Sequence, residues 1–133
     1  MNFLDTNVLL YASGFSGAND PRAANAMALL PDASYSIQAF AEFAARATRG
    51  PNPWQWERVD ALIAEFTNLS RLVVSITPEI AESARRIARD HRVAYYDAQM
   101  IAAAASISAA RLYTEDMNHG ERIAGVEIIN PFL

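Results

Sequence analysis

The sequence predicts one α/β domain over residues 1–133, in which a short central parallel sheet is flanked by helices. Short apolar and β-branched runs alternate with longer helical segments, and this alternation is typical of parallel sheets. The length of 133 residues suits one domain and is too short for two ordinary ones. Because 52% of the residues are hydrophobic, the chain can bury a core without disulfides.

Five short strands are predicted, each from a run of apolar or β-branched residues. They span residues 2–5, 34–37, 72–75, 112–114 and 126–129. The first strand ends at a carboxylate, that of Asp5, and a turn around residues 118–120 precedes the last strand. No repeat, low-complexity tract or linker interrupts this order.

Six helices are predicted between the strands. They span residues 6–12, 20–30, 38–48, 54–68, 77–92 and 97–109. Asp20-Pro21 begins a helix with a capping side chain followed by proline, whose fixed φ suits the first helical position, and Thr77-Pro78 begins another. Gly50 ends the third helix. The last helix is rich in alanine, which loses no side-chain entropy in a helix.

Composition narrows the possible functions. The chain has no cysteine, so disulfides and thiolate metal sites are excluded, and two histidines are too few for an ordinary zinc site unless carboxylates complete it. No signal peptide precedes Asp5, and no apolar run is long enough to cross a bilayer. We therefore expect a soluble, cytoplasmic protein with no membrane partner.

The net charge of −4 argues against a nucleic-acid partner, because such proteins usually carry a basic surface. Two observations weaken that argument. All eleven basic residues are arginine, whose planar guanidinium suits phosphate, although a biased genome composition explains the same usage. A bound divalent cation would also cancel part of the acidic charge where a substrate sits.

Four acidic residues fall at junctions between predicted strands and helices. Asp5 ends the first strand, and Glu42 lies one turn into the helix after the second. Asp97 begins the alanine-rich helix, and Asp116 follows the fourth strand. Because ligands of open parallel sheets bind at the carboxyl ends of the strands, we expect these carboxylates to converge at one edge.

Converging carboxylates repel one another, and a hard divalent cation makes the arrangement favourable. Mg²⁺ and Mn²⁺ prefer oxygen ligands. Such an ion lowers the pKa of a bound water, orients it, and neutralises the charge that builds on a phosphodiester during in-line displacement. The four acids therefore predict metal-dependent phosphodiester chemistry that needs no serine, cysteine or histidine nucleophile.

Each of the acids also has an ordinary structural interpretation. Asp5 and Asp97 stand where aspartate commonly caps a helix. Glu42 precedes Arg46 by four residues on a polar helix face, where the two would form an exposed ion pair.

The fourth position is the most open of the set. Asp116 is flanked by Glu115 and Asn118, so this segment can be a solvated turn, and either neighbour is an alternative to Asp116 in a site. We favour Asp116 as the fourth acid of the site, with Asn118 or Thr114 as an auxiliary residue.

Four segments, in order, resemble the PIN-domain nucleases and, within them, the VapC-type toxins of type II toxin–antitoxin pairs. The segments are FLDTNVLLY (residues 3–11), SIQAFAEF (36–43), YDAQMIAAA (96–104) and LYTEDMNHG (112–120), the last followed by GVEIINPF (125–132). The resemblance covers the chain from end to end, and the ordered set is more specific than any single motif.

The resemblance implies a PIN-like three-layer sandwich and a set of site residues. The implied catalytic acids are Asp5, Glu42, Asp97 and Asp116, of which Asp5, Asp97 and Asp116 bind Mg²⁺ or Mn²⁺. The implied auxiliary residues are Thr6, Asn7, Thr114 and Asn118. Arg46 and Arg49 follow Glu42 on its helix face and are candidates to contact RNA phosphates, with solvated surface arginines as the alternative.

The resemblance also implies an activity and partners. These are endonucleolytic cleavage of RNA by a metal-activated water, leaving a 5′-phosphate and a 3′-hydroxyl, homodimerisation, and neutralisation by a small VapB-type antitoxin. RNA as the substrate rests on the resemblance and not on composition or periodicity.

Two other functions stay open. A non-catalytic PIN-fold module that binds RNA or protein would share the fold, although the presence of all four acids argues against it. A phosphatase or phosphotransferase with a strand-end aspartate nucleophile needs a second acid two residues after Asp5. That position is Asn7, and the chain has no lysine to stabilise a phosphoryl intermediate.

Overall fold

The computed structural model of the protein describes every residue from Met1 to Leu133. Its elements are, in chain order, β1 (Asn2–Leu4), α1 (Thr6–Ser13), α2 (Arg22–Ala28), β2 (Ala33–Ser36), α3 (Ile37–Ala47), α4 (Trp56–Leu69), β3 (Val73–Val74), α5 (Pro78–His91), α6 (Tyr95–Ser106), β4 (Arg111–Tyr113), β5 (Arg122–Ile123) and β6 (Val126–Ile129). All six predicted helices and all five predicted strands are present, which confirms the α/β class.

The six strands form one sheet in the order β3-β2-β1-β4-β6-β5. Every neighbouring pair is parallel except β5 and β6, which are antiparallel. Neither β5 nor an antiparallel pair is predicted from the sequence, so the sheet is parallel as predicted everywhere except at this edge. Ala124 and Gly125 form the two-residue turn, with φ of 52° and 80°, and positive φ at both positions is the type I′ geometry of tight hairpins.

Two boundaries near the acids differ from prediction. β2 ends at Ser36, whose hydroxyl accepts the backbone N–H of Gln38 at 3.0 Å, so α3 begins at Ile37. α6 begins at Tyr95, which places Asp97 inside its first turn. The helix-cap interpretation of Asp97 is therefore wrong.

The other differences lie at the ends of elements. α2 begins at Arg22 and not at Asp20, although the Asp20 carboxylate accepts the backbone N–H of Arg22 at 2.9 Å. α4 begins at Trp56, and α6 ends at Ser106, so both are shorter than predicted. Thr77 caps α5 as predicted, by accepting the N–H of Ile80.

The core surrounds β1, whose Phe3 and Leu4 are completely buried. Four packed aromatic rings join β2, α3 and α4: Tyr35, Phe40, Phe43 and Phe66. α6 lies against β2, β4 and β6, and its run of buried alanines lets it approach closely. The most extensive helix–helix contacts join α1 to α2 and α3, α3 to α4, and α5 to α6. None of the helices has the length and apolar character that a membrane crossing requires.

The strand order creates a switch point beside β1. From β1 the chain crosses to β2 on one side, and it later enters β4 on the other side. In open α/β sheets a crevice forms outside the carboxyl ends of the strands at such a point. Residues that directly follow β1 and β4 therefore meet at this crevice.

Candidate active site

Asp5 occupies the switch point, directly after β1. Its Oδ1 accepts the backbone N–H of Thr6 at 2.7 Å, which caps α1, and its Oδ2 accepts the hydroxyl of Thr114 at 2.7 Å. Thr114 follows β4, so this second bond crosses the switch point. Asp5 is 5% exposed, and burial raises the pKa of its carboxyl to about 6, with smaller upward effects from the charges of Asp116 and Glu42.

Glu42 lies in α3 and is joined to the same site through Thr6. The hydroxyl of Thr6 donates to Glu42 Oε2 at 2.9 Å, and the amide of Gln38 donates to Oε1 at 2.8 Å. Both carboxylate oxygens are thus engaged by neutral donors. The ion pair with Arg46 that the helix spacing suggests is not formed, and the side chain of Arg46 has no ion-pair partner.

Asp97 and Asp116 complete the cluster. The pKa of Asp97 is raised by burial first, and then by the negative charges of Asp116 and Glu42. Asp116 is exposed, and its Oδ2 accepts the side-chain amide of Asn7 at 3.0 Å. The structure therefore brings all four predicted acids to one edge of the sheet. There the negative charges of Glu42 and Asp116 raise the pKa of both Asp5 and Asp97.

Asn7 and Thr114 lie at the centre of this cluster. The Asn7 amide donates to the Thr114 hydroxyl at 3.2 Å as well as to Asp116, and the Thr114 hydroxyl also accepts the backbone N–H of Asp116 at 3.1 Å. These bonds hold the segment after β4 against α1. Of the predicted auxiliary residues, Thr6, Asn7 and Thr114 contact the acids.

The side chains of Glu115 and Asn118, the two neighbours of Asp116, do not contact the acidic cluster. Glu115 accepts a short hydrogen bond from the hydroxyl of Tyr11 and lies 3.8 Å from the guanidinium of Arg22. Asn118 donates to Glu121 at 3.2 Å on the exposed side of the turn, so the structure does not bring this predicted auxiliary residue to the site. Among the three candidates for the fourth position, only Asp116 contacts the cluster.

Glu42 is also held by a chain of hydrogen-bonded side chains that is not predicted from the sequence. The Tyr95 hydroxyl donates to Gln99 Oε1 at 2.9 Å, Gln99 donates to Gln38 Oε1 at 2.8 Å, and Gln38 donates to Glu42. Gln38 also donates to the backbone carbonyl of Tyr96 at 3.1 Å. Both glutamines are 8% exposed. This relay ties α3 to the first turn of α6, where Asp97 lies.

Three arginines lie near the acids in different states. Arg22 is held by Asp20 at 2.7 Å, donates to the Tyr11 hydroxyl at 2.7 Å and covers the Tyr11 ring with its Cζ 4.0 Å from the centroid. Arg49, just past the end of α3, donates to the backbone carbonyl of Ala45 in that helix at 2.8 Å. Arg46 is exposed and has no hydrogen bond or ion pair, so its whole guanidinium is available to an anion.

The donor set fits a hard divalent cation. It offers carboxylate, hydroxyl and amide oxygens, and oxygen is the ligand atom that Mg²⁺ and Mn²⁺ prefer. It contains no sulfur and no imidazole. The Oδ1 of Asn7 is buried without a hydrogen-bond partner, which a water or ion ligand would satisfy. As the side chains stand, no three acidic or histidine residues are close enough to hold an ion between them, so binding one requires side-chain movement.

Comparison with known proteins gives one family. The sequence model of the PIN domain matches residues 3–124. No curated protein matches the chain by sequence.

Solved structures of similar fold come from toxin–antitoxin systems. The Mycobacterium tuberculosis VapC20 toxin, which cleaves the sarcin–ricin loop, has 18% identity and a TM-score of 0.68, over 87% of this chain and 92% of that one. A toxin–antitoxin complex from Klebsiella pneumoniae has 20% identity and a TM-score of 0.72, over 99% and 98%. DNA-bound VapBC from Salmonella typhimurium has 21% identity and a TM-score of 0.66, over 96% and 95%. At these identities the similarity is one of fold, and it confirms the PIN-like sandwich.

Proposed function

The chain belongs to the PIN-domain family, and we propose that it is a metal-dependent endoribonuclease that serves as the toxin of a toxin–antitoxin pair. One observation carries the proposal. Carboxylates from distant parts of the chain lie close enough at the switch point of the sheet for the charges of some to raise the pKa of others. Mutual repulsion and burial make such a site unfavourable for folding. A site of this kind is retained for binding a cation and acting on an anionic substrate.

Asp5, Asp97 and Asp116 are the residues that would hold Mg²⁺ or Mn²⁺. Burial and mutual repulsion raise the pKa of Asp5 and Asp97, and a cation relieves both effects. Asp116 is exposed, which leaves the site open to a polymer substrate. When bound, the ion supplies Lewis acidity toward the phosphate and activation of water.

The chain's own groups position the reactants. Thr6 and Thr114 fix the Asp5 carboxylate, and the neutral Asn7 amide holds Asp116 beside it. Glu42, the fourth catalytic acid, accepts the proton of the attacking water. The water oxygen bonds to phosphorus, the bond to the 3′ oxygen breaks, and that oxygen takes up a proton, which gives a 5′-phosphate and a 3′-hydroxyl.

The relatives support the substrate and the partner. VapC20 is a toxin that cleaves the sarcin–ricin loop, and the Klebsiella pneumoniae and Salmonella typhimurium structures are toxin–antitoxin assemblies. On this basis we assign to the chain an RNA substrate and a VapB-type antitoxin. The homodimeric state and the cytoplasmic location belong to the proposal as well, and they rest on the sequence analysis alone. Arg46 lies on α3 one turn after Glu42, Arg49 lies just past the end of the helix, and both would contact RNA phosphates.

The alternative functions have less support. At the position where an aspartate-dependent phosphatase needs its second acid, Asn7 uses its amide as a donor to Thr114 and Asp116. A non-catalytic PIN module has no need for a buried carboxylate with a raised pKa. Calorimetric titration with Mn²⁺ tests the scaffold alternative, because a non-catalytic scaffold of this kind binds no ion. Binding that is unchanged in Asp5→Asn and Asp97→Asn would place the ion elsewhere.

The activity is tested with purified, antitoxin-free protein and a structured RNA. We expect cleavage with Mg²⁺ or Mn²⁺, products with 5′-phosphate ends, and loss of cleavage in EDTA. Asp5→Asn and Asp97→Asn should both be inactive. Asp60→Asn, at an exposed position of α4, is the matched control and should cleave normally. Full cleavage in EDTA would refute the mechanism.

The role as a toxin is tested in cells. Expression of the chain alone should slow growth, and Asp5→Ala should not. Equal toxicity of the two proteins would point to a different activity. A short antitoxin-like reading frame beside the gene, whose product co-purifies with the chain and restores growth, is the expected companion.

A further inference from the structure

A pocket between α1 and α3 directly adjoins the acidic cluster. Its walls include Asn7, Leu10, Tyr11, Phe15 and Arg46. Asn7 is shared with the cluster, because its amide donates to Asp116 at 3.0 Å and to Thr114 at 3.2 Å. A group held in this pocket is therefore a direct neighbour of a group held among the carboxylates.

The pocket has one available positive charge. Arg46 has no ion pair, because the Glu42 carboxylate is occupied by Thr6 and Gln38. The other arginine of the wall, Arg22, is already neutralised by Asp20 at 2.7 Å. Arg46 is thus the group that would pair with an anion entering from the side of the acids.

The rest of the pocket wall is apolar and aromatic, and it suits a flat ligand such as a nucleotide base. Leu10 is buried, and Phe15 is half-buried with its ring packed edge-on against Trp54 at 5.2 Å between centroids. The Tyr11 ring is covered by Arg22 on one side and meets Phe132 edge-on. Aromatic and apolar groups beside an arginine are the combination that binds a base together with its phosphate.

The pocket continues away from the acids as a groove. Phe15 and Arg46 line both, and the groove extends along Arg49 to the turn of residues 50–52. Arg46 and Arg49 therefore stand in succession along one path that starts at the carboxylates. Successive phosphates of a strand in this path would meet Arg46 and then Arg49, whereas a single small anion would need only one arginine.

We propose that this pocket binds one nucleotide of the RNA substrate next to the cleaved bond, with Arg46 pairing its phosphate and the strand continuing toward Arg49. The inference rests on the proposed ribonuclease function and extends it, because it assigns a nucleotide pocket and a direction to strand binding. A nucleotide fixed here also gives the enzyme a base preference beside the cleavage point.

Binding is measured apart from cleavage, by fluorescence anisotropy of a labelled single-stranded RNA in EDTA. Arg46→Gln should weaken binding about five- to tenfold at low salt and reduce the slope of log K against log[salt] by about 0.7. Arg85→Gln is the matched control, because Arg85 is an exposed, unpaired arginine on α5, and it should bind as the wild type does.

A second variant tests the pocket without changing its charge. Ser16 is exposed at the rim, so Ser16→Trp fills the space, and we expect weaker RNA binding and an altered pattern of cleavage sites in Mn²⁺. Asn19→Trp places the same side chain in the same loop but outside this pocket and should change neither. Unchanged melting temperatures verify that the variants are folded.

The outcomes distinguish the subsite from the activity. Wild-type protein that cleaves RNA, with Arg46→Gln and Ser16→Trp indistinguishable from it, overturns the subsite and leaves the ribonuclease standing. Wild-type protein that neither binds nor cleaves RNA overturns both. Normal RNA binding by the variants, together with lost neutralisation by the antitoxin, would assign the pocket to the protein partner and also overturn the proposal.

Discussion

At the scale of single residues, Asp5 combines two roles that usually belong to different side chains. It caps α1 through one oxygen and accepts the Thr114 hydroxyl through the other, while burial raises its pKa to about 6. An ordinary cap is exposed and ionises readily, so the cap alone does not account for the burial. The interpretation of Asp5 as a simple cap is therefore incomplete.

The pKa of Asp5 predicts how the stability of the metal-free protein depends on pH. The carboxyl titrates near 3.8 when unfolded and at about 6 when folded, so between these values the folded state holds the extra proton. The free energy of unfolding should therefore fall as pH rises from about 4 to about 6, by up to roughly 3 kcal/mol, and level off above. Urea unfolding in EDTA at a series of pH values measures this slope.

Asp5→Asn is the control for that slope. The amide does not titrate and keeps an oxygen to accept the N–H of Thr6, so the pH dependence over this interval should shrink. An undiminished slope in the variant would assign the effect to another group, with Asp97 as the first candidate because its pKa is also raised by burial.

Gln38 is a positioning residue for Glu42, and its effect should appear in turnover. Gln38→Leu leaves Glu42 Oε1 and the Gln99 amide without their partners. We expect kcat for RNA cleavage to fall by about 10- to 100-fold while KM stays within about twofold. Gln55→Leu, at an exposed glutamine before α4, should leave both constants unchanged.

A purely structural role for Gln38 predicts a different result. In that case Gln38→Leu would lower stability and the active fraction, and active-site titration would show the remaining enzyme to have normal kcat. The sequence does not reveal this relay, because glutamines at helical positions are usually solvated. Only the packing of α3 against the start of α6 brings Gln38 and Gln99 together.

At the scale of elements, two short features limit what the sequence predicts. β5 has two residues, too few for a recognisable alternation, and the one available signal is Gly125 in the second position of a two-residue turn. α6 begins after Ala94, which has no capping side chain, so the pattern gives no start signal before Asp97. By contrast, α5 has both a capping threonine and a proline and is predicted correctly.

The packing of α6 gives a prediction at this scale. Ala103 is completely buried in α6, which packs against the sheet and α5, and close-packed interiors leave little room for a larger side chain. Ala103→Leu should lower the free energy of unfolding by about 1–3 kcal/mol. Ala61→Leu makes the same change at an exposed position of α4 and should lie within about 0.5 kcal/mol of the wild type. Equal effects of the two substitutions in urea unfolding would contradict tight packing at α6.

At the scale of the whole molecule, strand order explains why the position of the site is predictable. β2, β1 and β4 are neighbours and parallel, so the segments that follow them emerge at one edge. That rule places Asp5, Glu42 and Asp116 together without knowledge of any side-chain contact. It does not distinguish Asp116 from Glu115, because the direction of each side chain after β4 depends on partners from α1 and α2.

Metal binding should stabilise the whole fold, because the acids come from both ends of the chain. At a free Mn²⁺ concentration of about ten times Kd, the added stability is roughly 1.4 kcal/mol, which raises Tm by about 3–7 °C for a domain of this size. The increase should be smaller near pH 5, where Asp5 is largely protonated. A thermal scan of the wild type and Asp97→Asn with and without Mn²⁺ measures it, and an equal increase in both would exclude Asp97 as a ligand.

The bonds across the switch point determine how late in synthesis the acidic cluster can be completed. Asp5 is made almost first, but the backbone carbonyl that accepts its N–H belongs to Tyr113, and its hydroxyl partner is Thr114. A nascent chain, or a fragment cut anywhere in α4 or α5, carries Asp5 and Glu42 without Asp97 and Asp116. The four acids therefore come together only in a nearly finished polypeptide, so on the proposed function no RNA is cleaved until synthesis is almost complete.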